Sequence, residues 1–92
     1  GPADYLAISQ AYRTVFVSGV PKLKVHQRNE TKRFILMIDS FYDAKTRLVI
    51  LAEDRPENLF PKNQHAFESQ RSVSRLKEMQ SASWWGKSIV ET

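Results

Sequence analysis

The sequence predicts an α/β fold in which two parallel strands pack against helices. Residues 14–18 and 48–52 form two short runs that are rich in apolar and β-branched side chains and lack regular alternation. Such runs are typical of strands that are covered on both faces. The segment between them is long enough for a helical crossover, which would make the strands parallel. Because a sheet of two strands is marginal in water, we expect the fold to be incomplete on its own. Either further strands lie in a missing part of the protein, or chains pair with each other.

Three helices are predicted around these strands. The first covers residues 4–12. The second follows an N-cap at Asn29 and ends near Asp43, with a wide apolar face at helical spacing. The last helix runs from about residue 66 to residue 79. Its predicted buried residues are Phe67, Val73, Leu76 and Met79.

Length and composition limit the class of protein. A chain of 92 residues allows one small domain, and 41% hydrophobic with 26% charged residues is typical of a globular chain. The sequence has no cysteine, which excludes disulfides, thiolate metal sites and a thiol nucleophile within it. No apolar run reaches the roughly 20 residues that a membrane-spanning helix needs.

Two arginines on the last predicted helix are the leading candidates for a binding site. Arg71 and Arg75 are four residues apart, so both guanidinium groups project from one face and repel by about 0.2–0.5 kcal/mol on an isolated helix. A phosphate opposite the pair would relieve that repulsion, since guanidinium forks suit phosphate oxygens. Alternatively, Glu68 and Glu78, each three residues from an arginine, neutralise the pair at the surface. The residues alone leave both interpretations open.

A second candidate is a basic patch within residues 22–33. The formal net charge is +4, and such a patch could meet nucleic acid, anionic lipid or an acidic protein surface. The alternative is a solvated loop followed by an exposed helix face. No aromatic residue interleaves the patch before Phe34, which argues against base stacking, so nucleic acid is not favoured as a partner. The basic residues are Lys22, Lys24, Arg28, Lys32 and Arg33, with His26 among them.

Other motifs give no complete active site. The Gly-Lys-Ser triplet at residues 86–88 resembles the end of a phosphate-binding loop. However, Ser81 stands where the first glycine is required and a helix precedes it, so we reject this motif. Glu53 and Asp54 follow the second strand, where carboxylates could hold Mg²⁺ through water. Acidic residues also commonly end strands because the following loop is solvated. Since the chain has no phosphate-binding loop, we favour this interpretation and predict no metal site.

The remaining titratable residues are interpreted as solvated. His26 and His65 lack the spacing of a zinc site and are expected in exposed loops. Asp39 and Asp43 lie four residues apart on the polar face of the second predicted helix. That position requires no catalytic explanation.

Six motifs occur in one order along the chain. They are DYLAI at residues 4–8, TVFVSGVP at 14–21, NETKRFI at 29–35, IDSFYD at 38–43, LVILAE at 48–53 and RSVSRLKEMQS at 71–81. Together they closely resemble the C-terminal part of the ZapE-type ATPases, and the last motif is the most specific. This family comprises bacterial cell-division ATPases and their mitochondrial AFG-one-like relatives.

The resemblance implies a partial P-loop NTPase layer of the AAA+ type, built from two parallel strands, the crossover helix and the C-terminal helix. The resemblance makes residues 3–83 the C-terminal portion of an ATPase domain. From the residues themselves, Gly1 and Pro2 are interpreted as a tag remnant, and residues 84–92 are expected to form an irregular tail. The resemblance implies that the intact protein hydrolyses ATP with Mg²⁺, whereas this part alone is inactive and holds no cofactor. Arg75 and Arg71 become candidate catalytic and nucleotide-binding residues, as a sensor or an arginine finger.

The resemblance also implies partners and a location. The expected partners are the rest of the ATPase domain, further copies in a ring and protein substrates, and membrane-associated proteins are compatible with this role. The implied function is mitochondrial protein quality control or extraction, or else bacterial cell division. We expect a mitochondrial location, with the bacterial cytoplasm as the alternative. A different class of function is a small basic module that binds nucleic acid, or binds protein through Trp84 and Trp85.

Overall fold

The computed structural model describes residues 2–62 and 66–90, with side chains for residues 3–62 and 66–86. The elements in chain order are α1 (Pro2–Ala11), β1 (Thr14–Val20), α2 (Arg28–Asp43), β2 (Arg47–Ala52), a 3-10 turn (Pro56–Asn58), α3 (Ala66–Glu78) and α4 (Ala82–Val90). The predicted α/β class is confirmed, with α2 as the crossover between the strands. No helix in this part of the chain combines the length and apolar character that crossing a membrane would require.

The two strands pair in parallel, as the sequence predicts. Val15 lies opposite Leu48 and Val17 opposite Ile50, and these side chains face the core. The register is interrupted before Val20. Gly19 lies in the interruption with φ of 71°, a conformation that glycine adopts without steric cost.

The outer face of the sheet is open in the described part of the chain. Phe16 is 74% exposed and Leu51 is 63% exposed. The expectation that both faces are covered is therefore wrong for these residues taken alone. An uncovered apolar face on a two-stranded sheet agrees with the expectation that the fold is incomplete, because large apolar side chains usually pack against other elements.

Helix α2 forms the centre of the core. Ile38 and Phe41 are almost completely buried, and the ring of Tyr5 from α1 packs edge-on against Phe41 with 5.8 Å between centroids. The start of α2 differs from the prediction. It begins at Arg28 after Gln27, and the Thr31 hydroxyl donates to the Gln27 carbonyl at 2.7 Å. Asn29 lies inside the first turn and is not the N-cap.

Helix α3 buries most of the face that was predicted, together with two serines that were not, but it leaves Phe67 outside. Its buried residues are Ser69, Ser72 and Leu76, whereas Phe67 is 74% exposed. Phe67 lies on the opposite side of the helix because two residues advance the direction by about 200°. Leu76 and Met79 are buried as predicted, and Val73 is half-buried.

The described part of the predicted irregular tail, residues 84–90, belongs to helix α4. Trp84 donates its indole N–H to the Thr46 carbonyl at 3.1 Å, and Trp85 donates to the Met79 carbonyl at 2.9 Å. Both rings are half-buried and therefore pack within the chain. The Gly-Lys-Ser triplet at residues 86–88 also lies within α4, which agrees with the rejection of a phosphate-binding loop there.

Candidate functional site: an arginine pair on helix α3

The arginine pair on α3 meets a single carboxylate from α2. Arg75 Nη1 lies 2.6 Å from Asp39 Oδ1, and Arg71 Nη2 lies 3.2 Å from Asp39 Oδ2. Each carboxylate oxygen therefore accepts one guanidinium. The spacing of four residues brings the two guanidinium groups to one face, as the sequence predicts.

The counter-ion of the pair is not the one expected. Neither Glu68 nor Glu78 pairs with an arginine in the part of the chain that the structure describes. Glu78 accepts a hydrogen bond from the Tyr42 hydroxyl at 2.7 Å instead. Asp39, interpreted above as an ordinary surface carboxylate, is 23% exposed and joins α2 to α3. The sequence offered one signal, since Asp39 directly follows the fully buried Ile38 at the border of the apolar face.

The ring of Tyr42 forms the second contact of Arg75. The guanidinium carbon lies 4.6 Å from the ring centroid, within the range of a cation–π interaction. Trp84 stacks on Tyr42 with 5.2 Å between centroids and 21° between planes. The hydrogen bond to Glu78 raises the pKa of Tyr42, because it favours the protonated phenol. Neither Tyr42 nor Trp84 was predicted to lie beside the arginine pair.

The cluster carries an excess of positive charge. Two guanidinium groups face one carboxylate, while the side chains of Arg71 and Arg75 are 39% and 25% exposed. Arg71 Nε is buried and makes no hydrogen bond within the described residues. An anion with several acceptor oxygens, bound at the exposed parts of the guanidinium groups, would balance the second positive charge. The donor set therefore fits a phosphate group.

Glu53 and Asp54, which follow β2, bind Lys22 in the loop that precedes α2. The Lys22 backbone N–H donates to Glu53 Oε1 at 3.1 Å, and the Lys22 ammonium lies 3.0 Å from Asp54 Oδ2. Among the described residues, no group of three or more histidines and carboxylates could hold a metal ion. The contacts of Glu53 and Asp54 thus explain them without a metal.

Asp54 provides a prediction about acid stability. The pKa of Asp54 is lowered from 3.8 to about 2, mainly because the backbone N–H of Arg55 donates to its carboxylate. Asn58 and Lys22 add to this shift. A depressed folded-state pKa stabilises the fold above pH 3.8, and this contribution disappears as the pH falls through about 2. We expect an NMR titration of the Asp54 carboxyl carbon to give a midpoint near 2.

Two variants test the causes of this shift. Asn58→Ala removes the side-chain donor that lies 3.2 Å from Asp54 Oδ1 and should raise the midpoint. Lys22→Met removes the ammonium that lies 3.0 Å from Asp54 Oδ2 and should also raise the midpoint, since Lys22 lowers the pKa of Asp54 by a hydrogen bond and by its charge. A midpoint near 4 in the unsubstituted chain would contradict the assignment, because this is the ordinary value of an exposed aspartate.

The basic patch is only partly available to a partner. Lys22 is paired with Asp54, and Arg33 lies 3.9 Å from Glu30. Within the described ranges, the remaining cations of the patch make no ion pair. These are Lys24, Arg28 and Lys32, all exposed. His26 is exposed as expected, and His65 lies outside the described residues. Binding of nucleic acid by this patch stays a prediction.

Comparison with known proteins identifies the family. The sequence profile of the AFG1-like ATPases matches residues 1–88. The chain belongs to the AFG1-like ATPase family. It is 38% identical over 78 residues to the cell division protein ZapE of Escherichia coli K12, which covers 85% of this chain and 21% of that protein. The predicted resemblance is confirmed.

A eukaryotic relative shows the same partial coverage. Lactation elevated protein 1 homolog B of Danio rerio is 30% identical over 117 aligned positions, which cover 92% of this chain and 23% of that protein. This member of the AFG1-like ATPase family therefore spans about a fifth of the length of these relatives. No solved structure matches the chain.

Proposed function

We propose that the chain is the C-terminal part of an ATP-hydrolysing AAA+ protein and contributes Arg71 and Arg75 to its nucleotide site. The family match over residues 1–88 supports the ATPase class. In this proposal the two strands with α2 and α3 form part of a P-loop layer. The phosphate-binding loop and the Mg²⁺ ligands belong to the rest of the protein, since the matched segment is about a fifth of the relatives.

The observation that carries the proposal is the pair of guanidinium groups that share one carboxylate. Phosphoryl transfer spreads negative charge over the oxygens of the transferring group, and arginines stabilise that charge. Arg71 and Arg75 bring a net positive charge to a partly exposed position. When bound, ATP supplies the phosphoryl group and Mg²⁺ neutralises part of its charge. The role of the arginines is to bind and orient the phosphate oxygens.

The biological role of the intact protein follows from the relatives as a proposal. One relative is named a cell division protein and comes from a bacterium, and another comes from a fish. We assign the intact protein to mitochondrial protein quality control or extraction, with bacterial cell division as the alternative. In either case it acts on protein substrates as a homo-oligomeric ring, and partners at the membrane are compatible with this assignment.

Calorimetry with MgATP tests whether the nucleotide site is shared with the rest of the protein. We expect the full-length protein to bind and hydrolyse MgATP. The 92-residue chain alone, once its helix content is verified by circular dichroism, should bind it weakly or not at all. Two arginines without a phosphate-binding loop supply too few contacts for tight binding. Affinity of about 1 μM, or roughly −8 kcal/mol, for the isolated chain would contradict the proposal.

A further inference from the structure

We propose that Asp39 and Tyr42 are positioning residues that fix the direction of the Arg75 guanidinium. This inference rests on the proposed role of Arg75 at the nucleotide. Asp39 and Tyr42 lie three residues apart on α2, so their side chains share one face. Both contact Arg75 of α3, at 2.6 Å through the carboxylate and at 4.6 Å to the ring centroid.

The two contacts restrain different movements of the guanidinium. Asp39 holds its edge through Nη1, and the ring of Tyr42 covers its face. An edge contact and a face contact together define the plane of the group and the direction of its other donors. Within the described residues, Nε and Nη2 of Arg75 make no hydrogen bond. These two donors are left for an anion.

Tyr42 is itself held from two sides. Its hydroxyl donates to Glu78 of α3 at 2.7 Å, and its ring stacks on Trp84 of α4 at 5.2 Å. The face that contacts Arg75 therefore has a fixed position relative to three helices. Preorganisation of this kind is required of a group that must meet developing charge without moving.

The net charge of the cluster indicates that Asp39 does more than join α2 to α3. Asp39 with one arginine would form a neutral pair that joins the helices. The second arginine adds a like charge close to the first, and Asp39 neutralises only one of the two. The remaining positive charge favours a bound anion. Asp39 keeps the two guanidinium groups side by side.

The test uses Asp39→Asn in the full-length ATPase that contains this segment. The amide keeps an acceptor oxygen but loses the charge that orients both arginines. We expect kcat for MgATP hydrolysis to fall by about tenfold and KM to change by less than about threefold, since orientation matters most in the transition state. Asp43→Asn is the matched control. It removes the same charge one turn along α2, at an exposed residue without an ion pair in the described part, and should leave kcat unchanged.

The Tyr42 contact is tested separately. Tyr42→Leu removes the ring and should lower kcat by about fivefold. Tyr42→Phe keeps the ring and its stacking on Trp84 but loses the hydrogen bond to Glu78, so its loss of kcat should be smaller than that of Tyr42→Leu. Equal losses in the two variants would overturn the role of the ring.

A double variant separates positioning from a general structural role. If Asp39 acts through Arg75, Asp39→Asn should cause no further loss of kcat in an Arg75→Ala background. An equal loss in both backgrounds, or a gain in turnover from Asp39→Asn alone, would overturn the inference. If Asp39→Asn does not fold, Asp39→Glu provides the test of the inference. This variant keeps the negative charge but moves the carboxylate by one methylene. Unchanged kcat in Asp39→Glu would then overturn the inference.

The two proposals fail in different ways. Unchanged turnover in Arg75→Ala would refute the proposed function, and the positioning inference would fall with it. A large loss in Arg75→Ala with unchanged turnover in Asp39→Asn would refute the inference alone.

Discussion

Replacing Phe41 by alanine is expected to destabilise the chain by about 3–5 kcal/mol, which is the usual cost of removing a buried aromatic ring. Phe41 is 1% exposed and lies on α2, which packs against both α1 and α3. The substitution leaves a cavity and removes the ring that Tyr5 contacts at 5.8 Å. A small domain has only about 5–15 kcal/mol of stability, so the variant should lose a large fraction of its free energy of unfolding and unfold at a clearly lower urea concentration. Urea unfolding followed by circular dichroism measures the loss.

Leu36→Ala is the matched control for this prediction. Leu36 lies on the same helix but is exposed, so its truncation should cost less than about 1 kcal/mol. Similar losses for the two variants would mean that α2 does not supply the core in the way the structure indicates. That result would also question the position of Asp39, which is carried on the same helix.

The strands and the crossover helix were predictable because their signals are local. Residues 14–18 and 48–52 are too short for buried helices and rich in β-branched side chains. They lie within β1 and β2. The apolar spacing of α2 is similarly strong, and Phe34, Ile38 and Phe41 are all buried.

The errors in the helices have a physical cause. Side-chain hydrophobicity suggested that Phe67 is buried, but the buried face of α3 carries the small hydroxyl residues Ser69 and Ser72. Small residues at a helix contact allow close approach, and hydrophobicity alone does not detect them. The tail was expected to be less regular, whereas its described part lies in α4 (Ala82–Val90). The indole hydrogen bonds of Trp84 and Trp85 to the Thr46 and Met79 carbonyls fix it as part of the fold.

The arginine pair was predictable, but its counter-ion was not. Arg71 and Arg75 stand four residues apart, and this spacing alone places them on one face. Asp39 lies 32 and 36 residues away from them in sequence. Its contact depends on how α2 crosses α3, which no local pattern encodes. Glu68 and Glu78 were therefore expected as counter-ions because they are close in sequence, whereas the observed counter-ion comes from another helix.

The largest effect on activity is expected from Arg75→Ala in the full-length protein. The substitution should lower the rate of MgATP hydrolysis by tenfold or more, on the order of 1.4 kcal/mol of transition-state stabilisation. Arg75 is the better placed of the two arginines, because Asp39 and Tyr42 both hold its guanidinium. Steady-state turnover at saturating MgATP, with thermal unfolding of each variant measured in parallel, separates loss of chemistry from loss of fold.

Two further variants decide whether Arg75 acts through its guanidinium. Arg75→Lys keeps the charge but loses the planar fork, and should restore only a minor part of the turnover if the group binds phosphate oxygens through paired donors. Arg33→Ala removes the same side chain from an exposed site on α2, where its nearest carboxylate is 3.9 Å away, and should leave turnover unchanged. Full activity in Arg75→Ala would remove Arg75 from the nucleotide site. Full activity in Arg75→Lys would mean that only the positive charge of Arg75 matters. The direction of the guanidinium would then be unimportant, and the positioning role of Asp39 and Tyr42 would be refuted.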